Sequence, residues 1–230
     1  SFKTDTEISL GQIVGAVVVD EKILALDGEK VSMMVFDLKT KELILQRTIA
    51  WDLIKPAADA KGIPTKSETD ELRRKFYKSF KQIAELKLAG FTEAPSHWSN
   101  KRLQSVILTT RLKDFPFVRM DCERHDLGNC MIKEACFHDQ FPIHYGMNSG
   151  IAYSAQRNIL LVGDSLEGRI LSFRPNSCFH ISYKKSQRLP QKIKKLTSLF
   201  VDKEDMLWVT SDQPDDYHNG LVYFWKSESW

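Results

Sequence analysis

The chain has no apolar run near the ~20 residues that a membrane-crossing helix needs, so no transmembrane segment is expected. A charge excess of one sign is also missing. The 33 Lys and Arg stand against 30 Asp and Glu, a net +3 scattered along the chain, and so weak a bias points to no nucleic-acid partner. The short signatures of common catalytic sites are absent too: there is no Gly-x-Ser-x-Gly elbow, no Walker phosphate loop, no HExxH and no paired CxxC. The first residue is Ser1, with neither an initiating Met nor a signal-peptide apolar region, as in a mature product or an excised piece whose targeting segment is out of view.

What the sequence does hold is a repeated β pattern. In Gly146 to Phe173, the apolar runs Ile151 to Tyr153, Ile159 to Val162 and Arg169 to Phe173 are separated by the polar turns Ala155 to Asn158 and Glu167-Gly168. Sliding Val162 onto Val209 is a shift of 47 residues and superposes the runs at Leu199 and Met206 on the first two of these. A shift of 137 carries Asp27 onto Asp164 and Phe36 onto Phe173. The first copy is the most complete, with strands expected at Val14 to Val19, Ile23 to Leu26, Val31 to Phe36 and Leu43 to Ile49. Units of roughly 46 residues with four strands each are the pattern of propeller blades. The fold class is therefore all-β and propeller-like, with 1–230 as one domain of about five units.

One unit breaks the pattern. Trp51 to Pro64 suits a connecting loop, and Leu72, Phe76, Phe80, Ile83 and Leu88 then fall at helical spacing, which predicts an amphipathic helix over 67–89 stopped by Gly90. Arg73, Arg74, Lys75, Lys78 and Lys81 make its other face basic. The segment 51–101 reads as a helical insertion or cap, with a loop after Gly90 carrying Pro95, His97 and Trp98. Strands resume at Gln104 to Thr110 and Val118 to Met120.

Cys122, Cys130, Cys136 and Cys178 make an even count in a chain without CxxC spacing. Disulfides, with Cys130 and Cys136 opposed on a hairpin as one pairing, free buried thiols, and a zinc site drawing on His125 or His138 all remain open. Bridges would place the chain outside the cytoplasm, secreted or periplasmic.

The runs Asn148-Ser-Gly-Ile-Ala-Tyr-Ser, Asn158-Ile-Leu-Leu-Val-Gly-Asp164 and Gly168-Arg-Ile-Leu-Ser-Phe173, with the later Leu196-Thr-Ser-Leu, Asp205-Met-Leu-Trp-Val209 and Leu221-Val-Tyr-Phe224, resemble the blades of the paraoxonase, strictosidine synthase and gluconolactonase propellers and of NHL-repeat propellers. The resemblance is strongest over 146–225. In hydrolytic members it implies an axial divalent cation, often calcium, polarising a lactone or ester carbonyl. By that resemblance Asn148 and Asp164 are the candidate ligands. Lys194 and Lys195 stand where the next unit would need an oxygen ligand, and this speaks against a metal.

Other readings of the polar residues compete. Asp27, Asp164 and Asp212 suit turn caps after strands, while Asp215, Tyr217 and His218 sit in a polar, aromatic loop of the kind that reads a ligand. His144, His180 and His218 occupy separate segments that a propeller could bring to one face, and Trp208 and Trp225 suit the space between blades. The expectation is a non-catalytic binding or interaction propeller, exported, with no cofactor and with a protein or small-molecule ligand. Its candidate ligand residues are Asn148, Asp164, Asp212, Asp215, Tyr217 and His218. The alternatives are a calcium-dependent lactonase or esterase, and an accessory subunit docking a partner through Arg73, Arg74 and Lys78.

Overall fold

Strict alternation of side chains decides the architecture. In a strand, neighbouring residues point to opposite faces, so a strand that is apolar at every position must be covered on both. The strands Ser-Met-Met-Val-Phe, Val-Ile-Leu and Leu-Leu-Val in this chain are of that kind, and they build sheets that stack face to face. The computed structural model describes residues 12–51, 88–111, 116–136, 148–165, 167–178, 180–188, 196–211 and 221–225.

Four sheets follow one another along the chain. The first holds β1 (Ile13–Val19), β2 (Lys22–Asp27), β3 (Ser32–Asp37) and β4 (Leu43–Thr48), paired in that order. The second runs β5 (Ala50–Trp51), β9 (Asp126–Ala135), β8 (Phe117–Glu123), β7 (Leu103–Thr110) and β6 (Leu88–Glu93) across its width. The third is the meander β10 (Asn148–Ser154), β11 (Ile159–Asp164), β12 (Arg169–Ser177) and β13 (His180–Arg188), and the fourth is β14 (Leu196–Val201), β15 (Leu207–Ser211) and β16 (Leu221–Trp225). All pairings are antiparallel except β5 with β9, where the chain leaves the first sheet along the outer edge of the second.

The first long strand of each sheet lies against the first strand of the next: β1 on β6, β6 on β10, and β10 on β14. Four-stranded meanders stacked face to face, with their leading strands side by side, are the blades of a β-propeller, the expected fold class. Between the first two blades Leu24, Leu26, Met33 and Val35 meet Val106, Leu108, Val118 and Met120. The other face of the second blade sends Ile107 and Phe117 against Leu160, Val162, Leu171 and Phe173, with the Phe117 and Phe173 rings edge to face at 5.3 Å. Leu161 and Ile170 then meet Leu207 and Val209 of the fourth blade.

The leading strands approach closely because of their glycines. A Cβ on Gly15 would stand 2.8 Å from the Phe91 carbonyl oxygen of the next leading strand, and one on Gly90 3.0 Å from the Ile151 nitrogen. Gly150, at φ +124°, would meet Ser198 Cα at 3.0 Å. Every leading strand is also bulged at its start: the register slips between Ile13 and Gly15, Leu88 and Gly90, Asn148 and Ile151, and Leu196 and Ser198.

Several expectations change. Leu88 and Ala89, expected to finish a helix, and Gly90 to Glu93, expected as its stop and a loop, are strand β6, because this stretch is needed as the leading strand of a blade. The rest of the predicted helix, with Arg73, Arg74 and Lys78, lies outside the described residues, as does the helical part of the segment 51–101. Val31 is not a strand residue but a turn residue at φ 51°. The cysteines pair as Cys122 with Cys130 and Cys136 with Cys178, not Cys130 with Cys136. Met131 to Ala135 is one continuous strand, so Cys130 and Cys136 cannot face each other across a hairpin.

Candidate functional site

Two places on the blades collect polar side chains. The first is the bulged end of the leading strands. There the last residue of each second strand pairs with the first residue of the leading strand: Asp27 with Ile13, Thr110 with Leu88, Asp164 with Asn148, and Ser211 with Leu196. All four polar partners are buried. The register thus brings Asn148 and Asp164 opposite each other at the backbone level.

The carboxylate of Asp164 is already engaged. One oxygen accepts the Glu167 amide at 3.2 Å and the other the Arg169 Nε–H at 2.9 Å. Asp27 accepts the amides of Glu29 and Lys30, both at 3.0 Å. These are turn caps, holding the bend between second and third strands. The register also corrects the comparison between units. The position matching Asn148 in the fourth blade is Leu196, not Lys194 or Lys195, and the position matching Asp164 is Ser211, not Asp212. Asp212, Asp215, Tyr217 and His218 lie outside the described residues, as do His138, His144 and His218 among the histidines. His180 is exposed on β13, with its ring 3.1 Å from Ser182 Oγ. His125 is exposed and stands 3.0 Å from Glu123. Among the described residues, Trp208 is not part of the core packed between the third and fourth blades. Leu207 and Val209 are, while Trp208 sits half-buried with its Nε1–H donated to Asp202 Oδ2 at 2.7 Å.

The second place is a recess of about 420 Å³ lined by all four leading strands. Val17 and Val18 come from β1, Phe91 to Glu93 from β6, Ile151 to Tyr153 from β10 and Leu199 to Val201 from β14. Its walls are mainly apolar, and the large side chains Val18 and Phe200, 57% and 59% exposed, stand at its lip.

Among the polar groups of the recess, most are satisfied. Asp205 is buried, accepts from Ser154 Oγ and pairs with Arg157 Nε at 2.7 Å. Asp202 caps its own turn through the amides of Glu204 and Met206, and the Trp208 N–H with these amides holds its carboxyl below the usual range. Gln156 donates to the Lys203 carbonyl, Lys203 Nζ lies 3.4 Å from Glu204, and the Tyr153 hydroxyl donates to Asn158 Oδ1 at 3.0 Å.

Glu93 differs from these. Among the described residues no cation or donor reaches its carboxylate. It lines the recess and is exposed to water, and partial desolvation by the surrounding protein pushes its carboxyl above the ordinary range. Burial also raises Tyr153, and the Glu93 charge raises it further. Sequence reasoning missed Glu93 because it placed the residue in a loop after a helix. The available signal was the Gly-apolar pattern shared by Gly15-Ala-Val, Gly90-Phe and Gly150-Ile-Ala, which marks each leading strand.

No family model matches the chain, and no curated protein matches it. Solved structures do align with it. Kuenenia stuttgartiensis hydrazine synthase aligns over 98% of this chain and 49% of its own, at 9% identity and a TM-score of 0.47. The nidogen/laminin complex aligns over 91% and 59%, at 12% identity and a TM-score of 0.46. The Cps50 (Swd1) β-propeller domain of Myceliophteria thermophila aligns over 93% and 53%, at 10% identity and a TM-score of 0.43. The chain is a β-propeller. It spans about half the length of these neighbours. In the propeller frame the recess is the concave mouth between leading strands, and no helix among the described residues is long and apolar enough to cross a membrane.

Proposed function

We propose that the chain is an exported, non-catalytic binding propeller that takes its partner at the recess between the leading strands. One observation carries this reading: four strands from four blades converge on a single apolar-walled concavity whose lip exposes Val18 and Phe200. Rigid strands hold the walls, which suits recognition without rearrangement. The two disulfides support export, since such bridges persist outside the cytoplasm.

The hydrolase alternative is the weaker reading. An axial cation needs oxygen ligands from several blades, yet the positions equivalent to Asn148 hold Ile13, Leu88 and Leu196. Asp164 already carries Arg169, a positive charge in the place of a metal. Elemental analysis of the purified protein, with melting curves with and without chelator, tests the choice. The binding reading expects no stoichiometric calcium or zinc and no shift in Tm. A bound metal with a lower Tm after chelation, together with lactone hydrolysis, would replace it with the enzyme.

A further inference from the structure

Among the described residues, Glu93 is the one carboxylate of the recess that no hydrogen-bond donor or cation engages. The apolar walls, Phe91, Ile151, Leu199 and Val17, give it no donors, and the other charged groups of the recess are committed elsewhere: Asp205 to Arg157, Asp202 to its own turn and Trp208, Lys203 beside Glu204. Glu93 is exposed at the recess, so an incoming cation can reach its carboxylate directly, and a charge-assisted hydrogen bond formed against the apolar walls is stronger than a neutral one. Tyr153 lines the same recess and brings an aromatic residue beside Glu93, the kind of neighbour a planar cation favours. The lip adds a second requirement. Val18 and Phe200 expose apolar surface on opposite sides of the mouth, and a free small cation would leave that surface uncovered.

We propose that the recess is the socket for an arginine side chain presented by a partner polypeptide, with the guanidinium on Glu93 and apolar residues flanking the arginine seated against Val18 and Phe200. The proposal rests on the reading of the recess as the binding surface. Arginine is favoured over lysine because its planar fork matches a carboxylate and stacks on an aromatic ring. Its alkyl stem suits the apolar walls between the lip and the carboxylate.

The test is calorimetric titration of the whole chain with an acetylated tripeptide amide carrying a central arginine between two leucines, and with versions whose centre is glutamate or norleucine. Agmatine, the guanidinium on a bare alkyl chain, serves as the free-cation probe. The arginine peptide is expected to bind, and Glu93→Gln to weaken it about 10- to 100-fold, the scale of one charge-assisted hydrogen-bonded pair. Glu93→Gln should keep its melting temperature or raise it, so loss of binding will not reflect unfolding. Val18→Ser with Phe200→Ser is expected to weaken the peptide but not agmatine. Agmatine binding as tightly as the peptide would overturn the polypeptide partner. Equal binding of the norleucine or glutamate peptide, indifferent to Glu93→Gln, would overturn the cation socket while leaving the recess a binding surface. If no peptide binds and the protein hydrolyses lactones with a metal, the binding reading itself fails.

Discussion

Removing the disulfides one at a time gives a graded stability loss whose order the topology fixes. Cys122 and Cys130 face each other across the β8–β9 hairpin, with Cα atoms 4.0 Å apart and a sequence separation of only 8. Cys136 follows β9 and Cys178 follows β12, so the second bridge ties the second blade to the third and closes a loop of 42 residues. In the chain-entropy account the stabilisation grows with the logarithm of the closed loop. The 8-residue loop gives about 2.5 kcal/mol and the 42-residue loop about 3.9 kcal/mol, a difference of about 1.4 kcal/mol. All four sulfurs are in buried residues, so the cavities left by alanine are alike and cancel in the comparison. Paired Cys→Ala variants, unfolded in urea at fixed pH, should therefore lose more stability without Cys136 and Cys178 than without Cys122 and Cys130. Each kcal/mol corresponds to a fall in Tm of roughly 2–4 °C for a chain of this size. An equal loss, or a larger one from the hairpin pair, would refute the reasoning and imply that the second and third blades unfold separately.

Asp164→Ala removes the buried acceptor of Arg169 and the cap of the Glu167 turn, and chemical denaturation should register a loss of about 3 kcal/mol, the low end for breaking a buried pair. Gly150→Ala forces a side chain into φ +124° and toward Ser198 Cα at 3.0 Å, and a loss of about 1–3 kcal/mol is expected from the backbone alone, measured the same way. Because partial desolvation raises the folded-state pKa of Glu93, this group's stabilisation is greatest in acid and falls as pH rises through that raised pKa. Melting curves against pH should show that fall in the parent and not in Glu93→Gln, and a rise with pH in the parent that Glu93→Gln abolishes would contradict a raised Glu93 pKa.

Much of the fold is legible in the residues because burial on both faces leaves runs no helix or loop would need. The strands at 13–19, 22–27 and 43–48 fall within a residue or two of their expected bounds, and the 137-residue shift relates β2 to β11 and β3 to β12 as observed. The second blade was legible only in its middle, where the expected strands at 104–110 and 118–120 are β7 and β8. Thr110 matches Asp27 only after 110 minus 27, or 83, residues, because the chain inserts 52–87 before the leading strand, and a fixed period fails there. Strand β9 escaped notice because Asp126-Leu-Gly-Asn-Cys carries no alternation. Strand β13 escaped because its edge position leaves Lys184, Lys185 and Ser186 facing solvent, where charge blunts an exposed edge. The recess was invisible for a different reason: it is made by three residues from each of four leading strands far apart in sequence, so no local pattern carries it.

The glycines explain why the recess has the width it does. Gly15, Gly90 and Gly150 each face the backbone of the following leading strand, and at each a Cβ would require neighbouring backbone to move. In the last described leading strand the equivalent residue is Ser198, which is exposed and has no further leading strand among the described residues against it. Glycine thus appears wherever one leading strand abuts the next and serine where the row ends. The residues one to three positions further on, Ala16 to Val18, Phe91 to Glu93, Ile151 to Tyr153 and Leu199 to Val201, line the recess. The bulge at the start of each strand sets which of them turn inward, since one extra residue shifts every later side chain to the other face. Close packing at one end of the leading strands and an open, chemically distinct recess further along them therefore have the same origin, a glycine placed beside a bulge.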